Sequence, residues 1–105
     1  MEFRIVTGAD HGGFTLKKKI VAHLENKGYT VKDVGTHSSD SCDYPDYAIA
    51  VGEEIAHNTT VRGILICASG IGMAICANKV PSIRCALCTS VEQAALSRKH
   101  NNANV

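Results

Sequence analysis

The run Gly63-Ile64-Leu65-Ile66-Cys67-Ala68 followed by Ser69-Gly70-Ile71-Gly72 constrains this chain more than any other stretch. An unbroken aliphatic run of this length is a strand that must be covered on both faces, which is the pattern of a parallel sheet flanked by helices. Small, permissive residues then break the run, and Met73-Ala74-Ile75-Cys76-Ala77-Asn78-Lys79 continues it as helix. A strand, a glycine turn and a helix start together aim several backbone N–H groups at one point, which suits an oxyanion or a phosphate. The spacing is neither Gly-x-Gly-x-x-Gly nor a loop ending in Lys-Ser/Thr, so an anion is favoured over a nucleotide. Cys67 stands at the mouth of this cradle, where a thiol is placed to act as base or nucleophile; the plainer alternative is a small buried hydrophobe.

The rest of the chain repeats the alternation. Residues 3–7 read as a first strand, with Gly8-Ala9-Asp10-His11-Gly12-Gly13 as a polar turn after it. A helix follows over residues 14–26, with Leu16, Ile20 and Leu24 on its apolar face, its lysines facing water and Lys27-Gly28 as its stop. Residues 29–34 read as a short strand, 36–43 as a polar surface loop, and 44–57 as a helix with Pro45 in its first turn and Tyr47, Ala48, Val51 and Ile55 on its apolar face. After the glycine-loop helix, Pro81-Ser82 marks a break, residues 83–88 read as another apolar strand with Thr89-Ser90 at its end as a further candidate site position, and Ser90-Val91-Glu92-Gln93 opens a last helix with a capping pattern. Strands alternating with helices of this length predict one α/β domain, a three-layer α/β/α Rossmann-like parallel sheet. Ligands in such sheets bind beyond the carboxyl ends of the strands, where Asp10-His11 and residues 67–72 fall.

A length of 105 residues with 45% hydrophobic content fits a single domain, 1–105. The net charge of +1, with Lys17-Lys18-Lys19 as the one basic run, argues against a nucleic-acid surface. Met1 is followed at once by a charged residue, and no apolar stretch is long enough for a signal peptide or a membrane span, so a cytoplasmic protein with no membrane association is expected. The five cysteines, Cys42, Cys67, Cys76, Cys85 and Cys88, are an odd number and are read as free thiols. Cys85 and Cys88 have redox-motif spacing, but residues three apart on a strand point to opposite faces, which discounts a redox or zinc pair.

Five motifs, in order along nearly the whole chain, resemble the family of ribose-5-phosphate and galactose-6-phosphate isomerases. They are Gly8-Ala9-Asp10-His11-Gly12-Gly13-Phe14; Asp43-Tyr44-Pro45; residues 63–67 with Ser69-Gly70-Ile71-Gly72; Ala77-Asn78-Lys79; and the segment 96–105. The resemblance implies a cofactor-free and metal-free aldose–ketose isomerase of the pentose phosphate pathway, acting on a small sugar phosphate, with the five-carbon branch favoured over six-carbon allose or galactose 6-phosphate. It implies that Cys67 shuttles a proton between C2 and C1 of the open-chain sugar. Ser69, with the amides of Gly70, Ile71 and Gly72, would stabilise the enediolate, and Ala68 stands where many members have glycine. His100 would protonate the ring oxygen to open the furanose, with Asn101 binding the sugar beside it. Asp10, His11 and Tyr44 would contact substrate.

Family members continue with a further strand, a helix and a tail whose arginines grip the phosphate, whereas this sequence stops at Val105. The resemblance therefore implies a C-terminally shortened domain without the phosphate clamp, and an alternative reading as a catalytically weak phosphosugar-binding fragment. It also implies a homodimer or homotetramer in which His100 and Asn101 complete a neighbour's pocket. Apolar helix surface at Met73-Ala74-Ile75-Cys76-Ala77 and Ala94-Ala95-Leu96 supplies a motive for that burial.

Overall fold

The computed structural model describes residues 4–105. Strand β1 (Arg4–Ala9) leads through helix α1 (Phe14–Asn26) to β2 (Thr30–Asp33), then through α2 (Tyr44–Ala56) to β3 (Arg62–Ile66), followed by α3 (Ile71–Ala77) and α4 (Val91–Lys99). The three strands form one parallel sheet in the order β2-β1-β3. Each crossover carries a helix; the first runs from β1 to β2 and the second back across β1 to β3, and these opposite directions put α1 and α2 on opposite faces under the right-handed rule. The expected three-layer α/β/α arrangement is therefore present.

β1 lies in the middle and is buried from Ile5 through Ala9. It runs two residues past the expected end at Thr7, because Gly8 and Ala9 pair with Leu65 and Ile66 of β3. Glycine is needed at position 8, since a Cβ there would come within 2.8 Å of Val51 Cγ2 on α2. Phe3, the expected first residue of this strand, lies outside the described residues. The core is built from Val6 of β1, Val51 and Ile55 of α2, Val61, Ala77 of α3 and Ile83. Of the face expected for α2, Ala48, Val51 and Ile55 are buried and Tyr47 is half-buried.

Three local expectations are corrected. Lys17 does not face water: its side chain is wholly buried, and its ammonium donates to Asp33 Oδ1 at 2.6 Å and to the Thr36 carbonyl, tying α1 to the chain just after β2. Such an ion survives burial because a carboxylate and a carbonyl both compensate its lost water. Leu16 is the converse, 52% exposed although placed on the apolar face.

Residues 83–88 do not form a strand of the sheet. Residues 103–105 lie between them and β3: the Gly63 amide donates to Asn104 O at 2.9 Å, the Asn104 amide to Arg84 O at 2.9 Å, and the Ala86 amide to Val105 O at 3.0 Å. The intervening segment takes the hydrogen-bonding position that direct pairing with β3 would need. Beyond it, β3 and residues 85–89 are separated by a slot of about 500 Å³, lined also by Leu16 and by Ala94, Ser97 and Arg98 of α4. Cys85 opens on this slot, and burial, with Cys88 next to it, pushes its thiol up to about 11. All five cysteines are free.

Candidate active site

The site grows from the carboxyl end of β3. Gly70 takes a left-handed backbone, φ 78°, to turn the chain from the strand into α3, so its conformation favours glycine, and Leu87 Cδ1 packs over it, 2.6 Å from where a Cβ would lie. This sharp turn folds the loop back on itself. The Gly70 amide donates to Cys67 Sγ at 3.1 Å, and the Ile71 amide donates to Ser69 Oγ at 3.2 Å. Helix α3 begins at Ile71, two residues before its expected start, so Gly72 sits in the first helical turn. Of the three backbone donors expected to face a substrate oxyanion, two are thus engaged by side chains of the loop itself. The Gly72 amide is the one neither side chain takes, in a turn whose N–H groups have no intrahelical acceptor.

Ala68 does not strain the loop. Among the described residues the non-glycine positions with positive φ are Ser82 and Asn102, so Ala68 sits in backbone that any residue adopts.

A second loop packs against the first. The Asp10 amide donates to Ile66 O at 3.3 Å, one residue before Cys67, and the Asp10 carboxylate accepts from the Gly13 amide at 3.0 Å. A Cβ on Gly12 would touch Ala68 at 3.5 Å, and one on Gly13 would lie 2.4 Å from the Ile66 carbonyl oxygen, so the turn rests directly on the strand end. Asp10 accordingly serves as the turn's internal acceptor, the role its residue type most often has. His11 is exposed, and its Nδ1 accepts from the Cys42 amide at 3.2 Å. Tyr44, first residue of α2 and 40% exposed, lays its ring against Gly72, where a Cβ would come within 2.7 Å.

Cys67, Ala68, Ser69, Gly70, Ile71, Gly72, Asp10, His11 and Tyr44 are thereby brought to one end of the sheet. His100 and Asn101 are not. Helix α4 starts near the Cys67 loop, since Leu87 packs over Gly70 and Ser90 caps the helix by accepting from the Gln93 amide. Nine helical residues then carry the chain roughly 14 Å away. His100 is exposed at the far end of α4, and the Asn101 carbonyl accepts from Arg84 Nε, close to where Gly63 and Asn104 meet near the amino end of β3. Among the described residues no three His, Cys, Asp or Glu side chains converge as a metal ion would need, and no helix is long and apolar enough to cross a membrane.

Sequence reading missed Cys42, Leu87 and Lys17. Cys42 reaches His11 across 31 positions of chain and Leu87 closes over Gly70 from a segment that is not paired with β3, so neither contact leaves a local pattern.

The family model described as Ribose/Galactose Isomerase matches residues 5–105. The chain belongs to this family. Within the ribose/galactose isomerase family it is 48% identical over 102 residues to ribose-5-phosphate isomerase B of Escherichia coli, an alignment covering 97% of this chain and 68% of that protein. The crystal structure of the Mycoplasma genitalium ribose-5-phosphate isomerase B with bound ribulose 5-phosphate is 45% identical, with a TM-score of 0.96 over 100% of this chain and 70% of that one. The Thermotoga maritima ribose 5-phosphate isomerase structure is 46% identical, with a TM-score of 0.95 over 99% of this chain and 72% of that one. The chain thus spans about seven tenths of the length of these family members.

Proposed function

We propose that residues 1–105 form a sugar-phosphate isomerase domain that interconverts D-ribose 5-phosphate and D-ribulose 5-phosphate. One observation carries the reading: a thiol at the end of β3, held by the Gly70 amide over a glycine turn, in a family whose Mycoplasma genitalium member was crystallised with ribulose 5-phosphate. The Cys67 thiolate takes the proton from C2 of the open-chain aldose. The resulting enediolate carries negative charge on O1 and O2, and its oxygens lie against the Gly72 amide and the Ser69 hydroxyl. Returning the proton to C1 while a proton moves from O2 to O1 gives the ketose, so atoms and electrons balance without a cofactor. A direct test compares turnover of five- and six-carbon sugar phosphates. At least tenfold higher kcat/KM for ribose 5-phosphate is expected, and a preference for allose or galactose 6-phosphate overturns the substrate assignment.

Ring opening requires an acid near the furanose oxygen, and His100 is the residue proposed for it, with Asn101 holding the sugar. Because these two lie about one helix length from Cys67 of their own chain, the reading includes a second copy that supplies them. Exposed apolar side chains near the Cys67 loop support such an assembly, including Ile71 at 54% and Ile75 at 59% exposure on α3. The same separation supports the rival reading, that a single chain binds phosphosugars with little turnover. Mixing a Cys67→Ala chain with a His100→Ala chain separates the two. Under random pairing half the dimers are mixed and each holds one intact pocket, so about one quarter of the activity returns. Absence of recovery, with subunit exchange verified, places His100 in its own chain's pocket.

A further inference from the structure

His11 is tied to a loop remote in sequence by a contact whose direction is fixed chemically. A backbone amide can only donate, and the Cys42 N–H points at His11 Nδ1 from 3.2 Å. The nitrogen that accepts carries no proton, so a neutral ring must carry its proton on Nε2. Cys42 Sγ also lies 3.9 Å from the same Nδ1, a contact that either tautomer can make, so the backbone amide alone sets the assignment. A doubly protonated ring would turn an N–H against the amide and lose the contact. Both partners are anchored: the turn of His11 is pinned by Asp10 to Gly13 and to Ile66, and Cys42 precedes Asp43, whose carbonyl accepts from the Asp46 amide at the start of α2.

We infer that Cys42, through its backbone amide, is a positioning residue that holds His11 as the Nε2–H tautomer, making His11 a hydrogen-bond donor to a sugar-phosphate oxygen and not a proton-transfer base. The inference rests on the isomerase reading for the identity of the ligand, but the tautomer stands apart from it. It divides the work between the two histidines, leaving proton transfer at the ring oxygen to His100.

The test is a two-bond proton–nitrogen correlation spectrum of the 15N-labelled chain at neutral pH, in which the pattern of ring cross-peaks distinguishes the tautomers. The wild type and Cys42→Ala, which keeps the amide, are expected to show His11 as Nε2–H. Cys42→Pro removes the donor; His11 is expected to become a mixture of tautomers, and KM for ribose 5-phosphate to rise roughly tenfold with kcat changed less than twofold. A wild-type His11 in the Nδ1–H or doubly protonated form overturns the inference, as does an unaltered Nε2–H pattern in Cys42→Pro. If Cys42→Pro does not fold, the wild-type and Cys42→Ala spectra decide alone. A chain without turnover on any sugar phosphate overturns the isomerase reading while leaving the tautomer legible in the same spectrum.

Discussion

Cys67→Ala is expected to lower turnover by about 10²–10⁴-fold, the range a positioned general base contributes. The sulfur is the one thiol at the end of β3 and accepts from the Gly70 amide, while Ser69 Oγ, its nearest chemical substitute, accepts from the Ile71 amide and is a far weaker base. Alanine keeps the backbone of the turn, because the left-handed residue is Gly70 and not Cys67. Binding of sugar phosphate should therefore persist, measured by calorimetry, while a coupled assay shows the loss. The Gly70 amide gives up its acceptor, a cost of about 1 kcal/mol that is too small to unfold the domain. Exchange of the substrate C2 proton with solvent provides an independent reading of the same step and falls in parallel. Turnover at the wild-type rate sinks the assignment of Cys67 as the base.

Gly13→Ala is expected to carry the largest effect on stability, and to lower activity through it. The conformation of Gly13 is ordinary, φ −99° and ψ −2°, so the difficulty is purely one of space. A Cβ would sit 2.4 Å from Ile66 O and 2.7 Å from Ile66 C, and neither backbone atom can turn aside as a side chain end would. Relief requires lifting the turn of residues 10–13, which breaks the Asp10 amide's bond to the strand end and moves α1, whose Lys17 amide donates to Gly13 O at 2.9 Å. Overpacking of this kind costs about 2–3 kcal/mol. In a domain of this size that is a fall in melting temperature of roughly 10–20 °C. Thermal unfolding followed by circular dichroism measures it, and a variant melting within 2 °C of the wild type shows that the turn does not rest on β3 as described.

The alternation of strand and helix, the two strand-end loops and the inward face of α2 were legible because each is written in local pattern: aliphatic runs, glycines where the chain reverses, apolar spacing of three and four. Family motifs supplied the proposed roles of Cys67, Ser69 and His100, which periodicity alone could not. Residues 83–88 misled for a specific reason. Their apolar composition is that of a buried strand, but whether such a segment pairs with β3 depends on what lies between them, and residues 103–105 do. Lys17 misled in the opposite sense, since a three-lysine run gives no local sign that one member finds Asp33 and the Thr36 carbonyl across the fold. Three amides in a row suggested three open donors, but Cys67 and Ser69 claim two of them through the fold of the turn, which leaves no mark in the sequence.

The order β2-β1-β3 has a consequence for biosynthesis. Of the three described strands the central one is made first, yet no neighbour of it arrives through a hairpin: β2 comes only after α1, and β3, which covers its other edge, is completed at Ile66, well after β1 ends at Ala9. At elongation rates of about 5–20 residues per second, the apolar edge of β1 waits roughly 3–11 s on the ribosome for its second partner. During that interval Ile5, Val6 and Ala9 are exposed to whatever the cell supplies. Nascent-chain binding factors, and the pace of translation across α2, accordingly bear on the yield of this domain more directly than the stability of its finished sheet.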